Sequence, residues 1–238
     1  MDFSNPTLKN SSFLTNRITD YLFYINFSDD KTQQNKLFKN SVDVIASKIK
    51  NPTYKEEIVA FLIAQFEPSN NLELIDYLLD NYYKKLPKGV QNKTFVKEKE
   101  TLFAAEIGRI APNFSWKENG KKLELSTLNT AKNYLLVFWS TDCSHCLREI
   151  PQLHAFTKDK QEVKVVAFAM ERNDFVWKNK QKNLPNWHHI LGLNKWENKI
   201  AGTYNINSTP SYFILNADKK IIAKPDELKD VKAFLDKL

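Results

Sequence analysis

Residues 134–151 read Tyr-Leu-Leu-Val-Phe-Trp-Ser-Thr-Asp-Cys-Ser-His-Cys-Leu-Arg-Glu-Ile-Pro. The first six, Tyr134 to Trp139, are a short apolar run rich in strand formers, the pattern of a buried strand. Past the cysteines, Leu147, Ile150, Leu153 and Phe156 recur at helical spacing. Cys143 and Cys146 therefore sit at a strand-to-helix turn, with Cys143 near the helix N-terminus. Unpaired N–H groups and the helix dipole favour an anion there, which stabilises the Cys143 thiolate. The thiolate is the nucleophile of disulfide exchange, and Cys146, one turn on, can resolve a mixed disulfide. His145 lies between them and, when protonated, would lower the thiolate pKa further. A stabilised thiolate favours the reduced form and pushes the pair toward oxidising power.

These are the chain's 2 cysteines, so no structural disulfide framework exists elsewhere. A CxxC pair can be half a zinc site, but zinc takes four ligands. His145, His154, His188 and His189 have no partners at ligand spacing. The expectation is no metal and no bound cofactor, the redox-active Cys143–Cys146 disulfide taking that place. Trp187-His188-His189 is read as a loop with a packing role.

Working outward, the 238 residues allow one large domain or two ordinary ones. With 42% hydrophobic and 26% charged residues the chain is globular, which excludes wholesale disorder. Only 5 glycines are present, without a G-x-G-x-x-G or phosphate-loop pattern, which argues against a nucleotide site. The longest apolar runs, Tyr134 to Trp139 and Val165 to Met170, fall far short of the roughly 20 residues of a membrane span. The net charge of +7 is spread: residues 1–110 hold 15 basic and 14 acidic side chains, residues 111–238 hold 20 and 14. There is no basic run or arginine stripe, so a solvated lysine-rich surface is expected and nucleic acid is not.

Three ordered motifs carry a family resemblance. Val137 to Pro151 resembles the active-site stretch of thioredoxin-fold proteins of the TlpA/ResA-like group, and the first half, residues 1–107, resembles the helical region before that domain in Bacteroidetes members of the group. Ala111-Pro112-Asn113-Phe114 resembles the A-P-x-F entry to that domain. Tyr204 to Ile214, with Thr209-Pro210 inside, resembles its Y-x-V-x-x-T-P-x-x-F-L/I motif. Together the three motifs span about residues 109–238. The resemblance implies an α/β thioredoxin fold, a mixed central sheet flanked by helices. It also implies that Thr209-Pro210 is a cis-proline loop beside the cysteines that binds substrate, with Trp139 counted among the substrate-binding residues. Glu149 matches the family's active-site acid. It shares a helix face with Cys146, which suits a proton acceptor for a buried thiol; the alternative is an ordinary solvent-facing glutamate. Pro151 matches a proline that kinks the active-site helix.

Departures from the family pattern are also present. Asp142 stands before Cys143 where many relatives have tryptophan; it either opposes a low thiol pKa or caps the helix. Val137 occupies the position of thioredoxin's buried aspartate, and His145 makes the motif similar to the C-P-H-C of periplasmic oxidants.

The rest of the second half reads as a strand from Val163 to Ala169 and a helix from Asn173 to Lys182. A strand pair, Tyr212 to Leu215 and Lys220 to Ala223, and a closing helix from Asp226 to Leu238 complete it. The first half reads as an all-α domain, residues 1–107, preceding the thioredoxin-like domain, residues 108–238. Phe13, Leu14, Ile18, Tyr21, Leu22 and Ile25 share one face. Further apolar stripes run over Phe38–Ile49, Tyr54–Phe66, Leu72–Tyr82 and Phe95–Ile107. Thr53 with Glu56 reads as a capping box, and Gly108 as the residue that ends the last helix. Partner selection beside the CxxC cleft is the expected job of this domain.

Met1-Asp2-Phe3-Ser4 has no basic start or apolar stretch, so read literally the chain stays in the cytosol. Members of the group are usually exported, and the resemblance implies the periplasm or cell envelope, any membrane association coming from an anchor outside this chain. The expected activity is thiol–disulfide oxidoreduction through Cys-Ser-His-Cys, reducing protein disulfides with electrons from an upstream redox partner. The rivals are a disulfide-donating oxidant or isomerase of the same fold, a non-catalytic binding module, and a metal carrier using both thiolates.

Overall fold

The computed structural model describes residue 3 and residues 12–238; of the opening tetrapeptide, Met1, Asp2 and Ser4 lie outside the described residues. The chain forms two compact units, residues 1–96 and 97–238. The change of character read after residue 107 falls inside the second unit, because Ala105 belongs to its core and the Gly108 N–H donates to the Ile221 carbonyl at 2.8 Å.

The first unit holds α1 (Ser12–Asp20), α2 (Lys31–Lys48), α3 (Pro52–Phe66) and α4 (Leu72–Asn81), and α5 (Lys93–Leu102) begins at its end. Leu14, Ile18 and Leu22 are buried at i, i+4, i+8, but Phe13 and Ile25 are exposed. The expected stripe breaks because Tyr21–Ile25 is a π-helical turn, whose wider winding carries Ile25 off the buried face. Helix α3 opens two residues earlier than the expected capping box would set it. Its N-cap is Asn51, whose side chain accepts the Tyr54 N–H, with Pro52 at the first position. Glu56 accepts the Tyr83 hydroxyl instead. Helix α5 ends at Leu102, not Ile107, since the chain turns in there to bury Phe103 and Ala105.

The second unit is built on a five-stranded sheet of order β5-β4-β3-β6-β7. Its strands are β3 (Asn133–Trp139), β4 (Val163–Glu171), β5 (His188–Leu193), β6 (Ser211–Asn216) and β7 (Ile221–Ala223). A separate hairpin pairs β1 (Ser115–Glu118) with β2 (Lys121–Glu124). Strands β3, β4 and β5 are parallel, and β6 and β7 are antiparallel additions, which makes the sheet mixed. The helices are α6 (Ser144–Thr157), α7 (Phe175–Lys180), α8 (Lys199–Thr203) and α9 (Leu228–Leu235).

Side chains alternate across the sheet with the period of 2 that strands impose. Leu135, Val137, Trp139, Ala167 and Ile214 pack on one face against Ile150 and Leu153 of α6 and Val231 and Leu235 of α9. Tyr134, Leu136, Phe138, Phe168 and Phe213 fill the other with Phe114, Trp116 and Tyr204. Both faces are covered, so β3 and β4 read as unbroken apolar runs.

Of the expected loop Trp187-His188-His189, only Trp187 stays outside a strand, buried in the core; His188 and His189 instead open β5, paired from Val166↔His188 to Glu171↔Leu193. His188 is tied to the hairpin: its Nδ1 lies 2.7 Å from Glu118 Oε2. Gly192, in that strand, is there for want of a side chain. A Cβ at Gly192 would fall 2.1 Å from Phe168 Cε1, a ring fixed in the core. Gly192→Ala is expected to cost about 1–3 kcal/mol by overpacking, read as a lower urea midpoint at unchanged slope. Among the described residues no helix is long and apolar enough to cross a membrane.

Candidate active site

Three parallel strands end on one side of the sheet, and the loops that follow them build the site. After β3, Ser140-Thr141-Asp142 leads to Cys143, the N-cap of α6. Its φ of −94° and ψ of 111° are the extended backbone a cap requires. The Cys143 Sγ accepts the Cys146 N–H at 3.0 Å, so the sulfur takes up one of the helix's orphan donors. An anion at that sulfur would be stabilised by the same N–H and by the helix dipole.

Cys143 and Cys146 are joined as a disulfide, with Cα atoms 5.2 Å apart. Cys143 is partly exposed, whereas Cys146 is fully buried under α6 with Trp139 and Ile150. Only Cys143 can be reached from outside. The Thr209–Pro210 peptide is cis, and the Thr209 carbonyl oxygen lies 3.2 Å from Cys143 Sγ. A cavity of about 240 Å³ is lined by Pro210 with Asn207, Ser208, Ser211, Lys224 and Asp226.

Glu149, on the second turn of α6, is mostly buried, its side chain 14% exposed. His145 Nε2 lies 2.7 Å from its Oε1, and the Tyr212 hydroxyl donates to Oε2 at 2.8 Å. The alternative of a solvent-facing glutamate does not describe it. Burial, then the bond to Glu149 and its charge, push the Tyr212 phenol well above the ordinary tyrosine range. The histidine read as a neighbour of Cys143 thus turns its ring to Glu149, and Tyr212, which no sequence motif marks, completes the trio. Alternation along β6 puts Tyr212 on the α6 side, but the tie to Glu149 spans 63 positions that no local pattern links.

Two expectations need correction. Trp139 does not face substrate: it is 1% exposed and packs in the core beneath the active-site helix. Asp142 is not the helix cap, a place that Cys143 itself takes. Its carboxylate accepts from Lys195 Nζ at 2.5 Å, and that bond, with the lysine's charge, holds Asp142 below the usual aspartate range.

A further carboxylate, Glu171 at the end of β4, was also missed. It is buried, and its two oxygens accept the Thr141 N–H at 2.6 Å and the Thr141 hydroxyl at 2.9 Å. Among the described residues no cluster of three or more His, Cys, Asp or Glu is placed to hold a metal ion.

The Redoxin family model matches residues 106–232, more than half of the chain. The chain belongs to the Redoxin family. It is 33% identical over 135 residues to the thiol-disulfide oxidoreductase ResA of Bacillus cereus, covering 55% of this chain and 73% of that one. ResA of Bacillus subtilis is 29% identical over 119 residues, 48% of this chain and 64% of that one. A domain of a possible thiol-disulfide isomerase from Cytophaga hutchinsonii superposes with a TM-score of 0.48 at 28% identity, covering 56% of this chain and 92% of that structure. This Redoxin-family chain is a thioredoxin-like thiol–disulfide oxidoreductase with a helical region before its first strand.

Proposed function

We propose that this protein reduces disulfides of protein substrates in the bacterial cell envelope, using Cys143 as nucleophile and Cys146 as resolving thiol. One observation carries the dithiol chemistry: the partly exposed Cys143 sulfur sits at the α6 N-terminus and accepts the Cys146 N–H, with its buried partner one turn behind it; the direction, reduction, rests on the family resemblance. The Cys143 thiolate attacks one sulfur of the substrate disulfide. A Cys143–substrate S–S bond forms, the substrate bond breaks, and the departing sulfur leaves with the electron pair and takes up a proton. Cys146, having given up its proton, then attacks Cys143 Sγ. The internal disulfide forms and the second substrate thiol is released. Two electrons and two protons pass to substrate, and the dithiol itself, without a bound cofactor, is their store. An upstream thiol donor restores it.

In this reading Glu149, with His145 and Tyr212 on its two oxygens, takes the Cys146 proton. Thr209 and Pro210 hold the substrate chain against Cys143, supported by the 3.2 Å approach of the Thr209 carbonyl. The envelope placement rests on the resemblance to a group whose members are usually exported. Selection of protein partners is the role we assign to the helical unit.

The test is the Cys143–Cys146 disulfide fraction across glutathione buffers, read by alkylation and mass. A two-electron transition with a midpoint near the roughly −270 mV of thioredoxin is expected. A midpoint near about −120 mV, that of a strong oxidant, would replace the reductase reading by disulfide donation. Absence of a reversible disulfide at any poise would overturn the mechanism.

A further inference from the structure

Asp142 raises a problem in the sequence: it places an anion next to the residue that must itself become one. The structure supplies a cation at the same place. Lys195 follows β5 and reaches across to Asp142, Nζ to Oδ2 at 2.5 Å, from 53 positions away. Its side chain is only 20% exposed, while that of Asp142 is 61% exposed. The ammonium is thus held on the protein side of the pair. Lys195, Asp142 and Cys143 line one small cavity of about 100 Å³ with Met170, Trp196 and Thr209.

The backbone that delivers the lysine is strained. Asn194 and Lys195 are consecutive left-handed residues, with φ of 70° and 45°. Asparagine tolerates that region, but a lysine there costs on the order of 1 kcal/mol. A surface ion pair contributes about 0–1 kcal/mol, so stability alone gives a weak reason for such a turn. The turn does aim one positive charge at the mouth of the nucleophile's cavity.

We propose that Lys195 is a positioning residue for the exchange reaction: it neutralises Asp142 and so keeps the Cys143 thiolate accessible at neutral pH. The proposal rests on the assignment of Cys143 as nucleophile. The other charged groups near this end are Arg172, which also acts on Asp142, Glu171, whose two oxygens are taken by the Thr141 N–H and hydroxyl, and Glu149, whose oxygens are taken by His145 and the Tyr212 hydroxyl. None of these replaces Lys195 at the cavity. The reaction coordinate is unchanged: Cys143 still forms its bond to the substrate sulfur while the substrate S–S bond breaks. Lys195 sets how much of the thiol is ionised when that begins.

A charge-swap cycle tests this in the full chain. Lys195→Met leaves Asp142 uncompensated. The pH profile of Cys143 alkylation is expected to move up by about half a unit, and the glutathione equilibrium to shift about threefold toward the disulfide. That is about 14 mV more reducing, at 29.6 mV per tenfold. Asp142→Asn leaves the ammonium unopposed and should move both readouts about threefold the other way. The double variant Lys195→Met/Asp142→Asn should return to within twofold of the unaltered protein, and Lys195→Arg should keep its profile. Melting curves accompany each variant, because a merely structural role would change stability without moving the profile.

If the unaltered protein shows a reversible disulfide but neither single substitution moves the alkylation profile, this inference fails alone. Single substitutions that move it in the same direction would also overturn the inference. If the unaltered protein has no reversible disulfide, the assignment beneath it fails first.

Discussion

Cys146→Ser protein is expected to accumulate as a stable mixed disulfide with its protein substrates, whereas Cys143→Ser protein should capture none. The asymmetry follows from burial. Cys143 is partly exposed and receives the Cys146 N–H, so it is the sulfur a substrate meets. Cys146 is fully buried and can reach only Cys143. Remove the buried sulfur and the first bond still forms, but nothing inside the protein breaks it. Remove the exposed one and exchange falls by on the order of a thousandfold or more, to the rate of the free reaction. Non-reducing gels of purified variants mixed with a disulfide-bonded protein read both outcomes. Capture by Cys143→Ser, or equal capture by the two, would mean that the roles are reversed or shared.

The parts of this site that one stretch of chain could announce were legible. Strand β3, the CxxC turn and helix α6 are contiguous, and their apolar pattern changes from a run to a helical repeat at the cysteines. The Thr209-Pro210 loop was placed by resemblance, and it does lie against Cys143. What escaped depends on strands meeting in space. Lys195 and Glu171 reach the active-site turn only because β3, β4 and β5 are parallel neighbours whose C-terminal ends converge there. Strand β5 itself was unread: His188 and His189 at its start hide a short pattern, and Gly192 weakens strand propensity while serving the close approach of Phe168. Trp139 shows the limit of resemblance. The resemblance counts it among the substrate-binding residues, but the period of the strand turns it into the core beneath α6.

Glu171 gives the second large effect, and it is expected on both stability and rate. A carboxylate this buried is tolerated because both oxygens accept: one from the Thr141 N–H, the other from the Thr141 hydroxyl. Thr141 lies two residues before Cys143. The same loop is tied by Asp142 N–H to Ser140 Oγ at 3.2 Å and Cys143 N–H to the Ser140 carbonyl at 3.3 Å. Glu171→Leu would leave a buried N–H and a buried hydroxyl without acceptors, a loss of about 2–4 kcal/mol. Glu171→Gln keeps the shape: its oxygen accepts the Thr141 N–H and its N–H₂ donates to the Thr141 hydroxyl oxygen, so only the charge assistance of the two bonds is lost, about 1 kcal/mol. Urea unfolding measures both. Because the loop carries the nucleophile, the exchange rate of folded Glu171→Leu protein should also fall about tenfold, a loss that small shifts in geometry readily produce. The decisive control is Glu171→Leu/Thr141→Val. Removing the orphaned hydroxyl along with its acceptor should recover part of the stability, since an unsatisfied partner costs more than a missing pair. Recovery of stability without recovery of rate would show that the carboxylate's work is to hold the Thr141 backbone, and through it Cys143, in place. A Glu171→Leu protein as stable and as fast as the original would remove Glu171 from the site altogether.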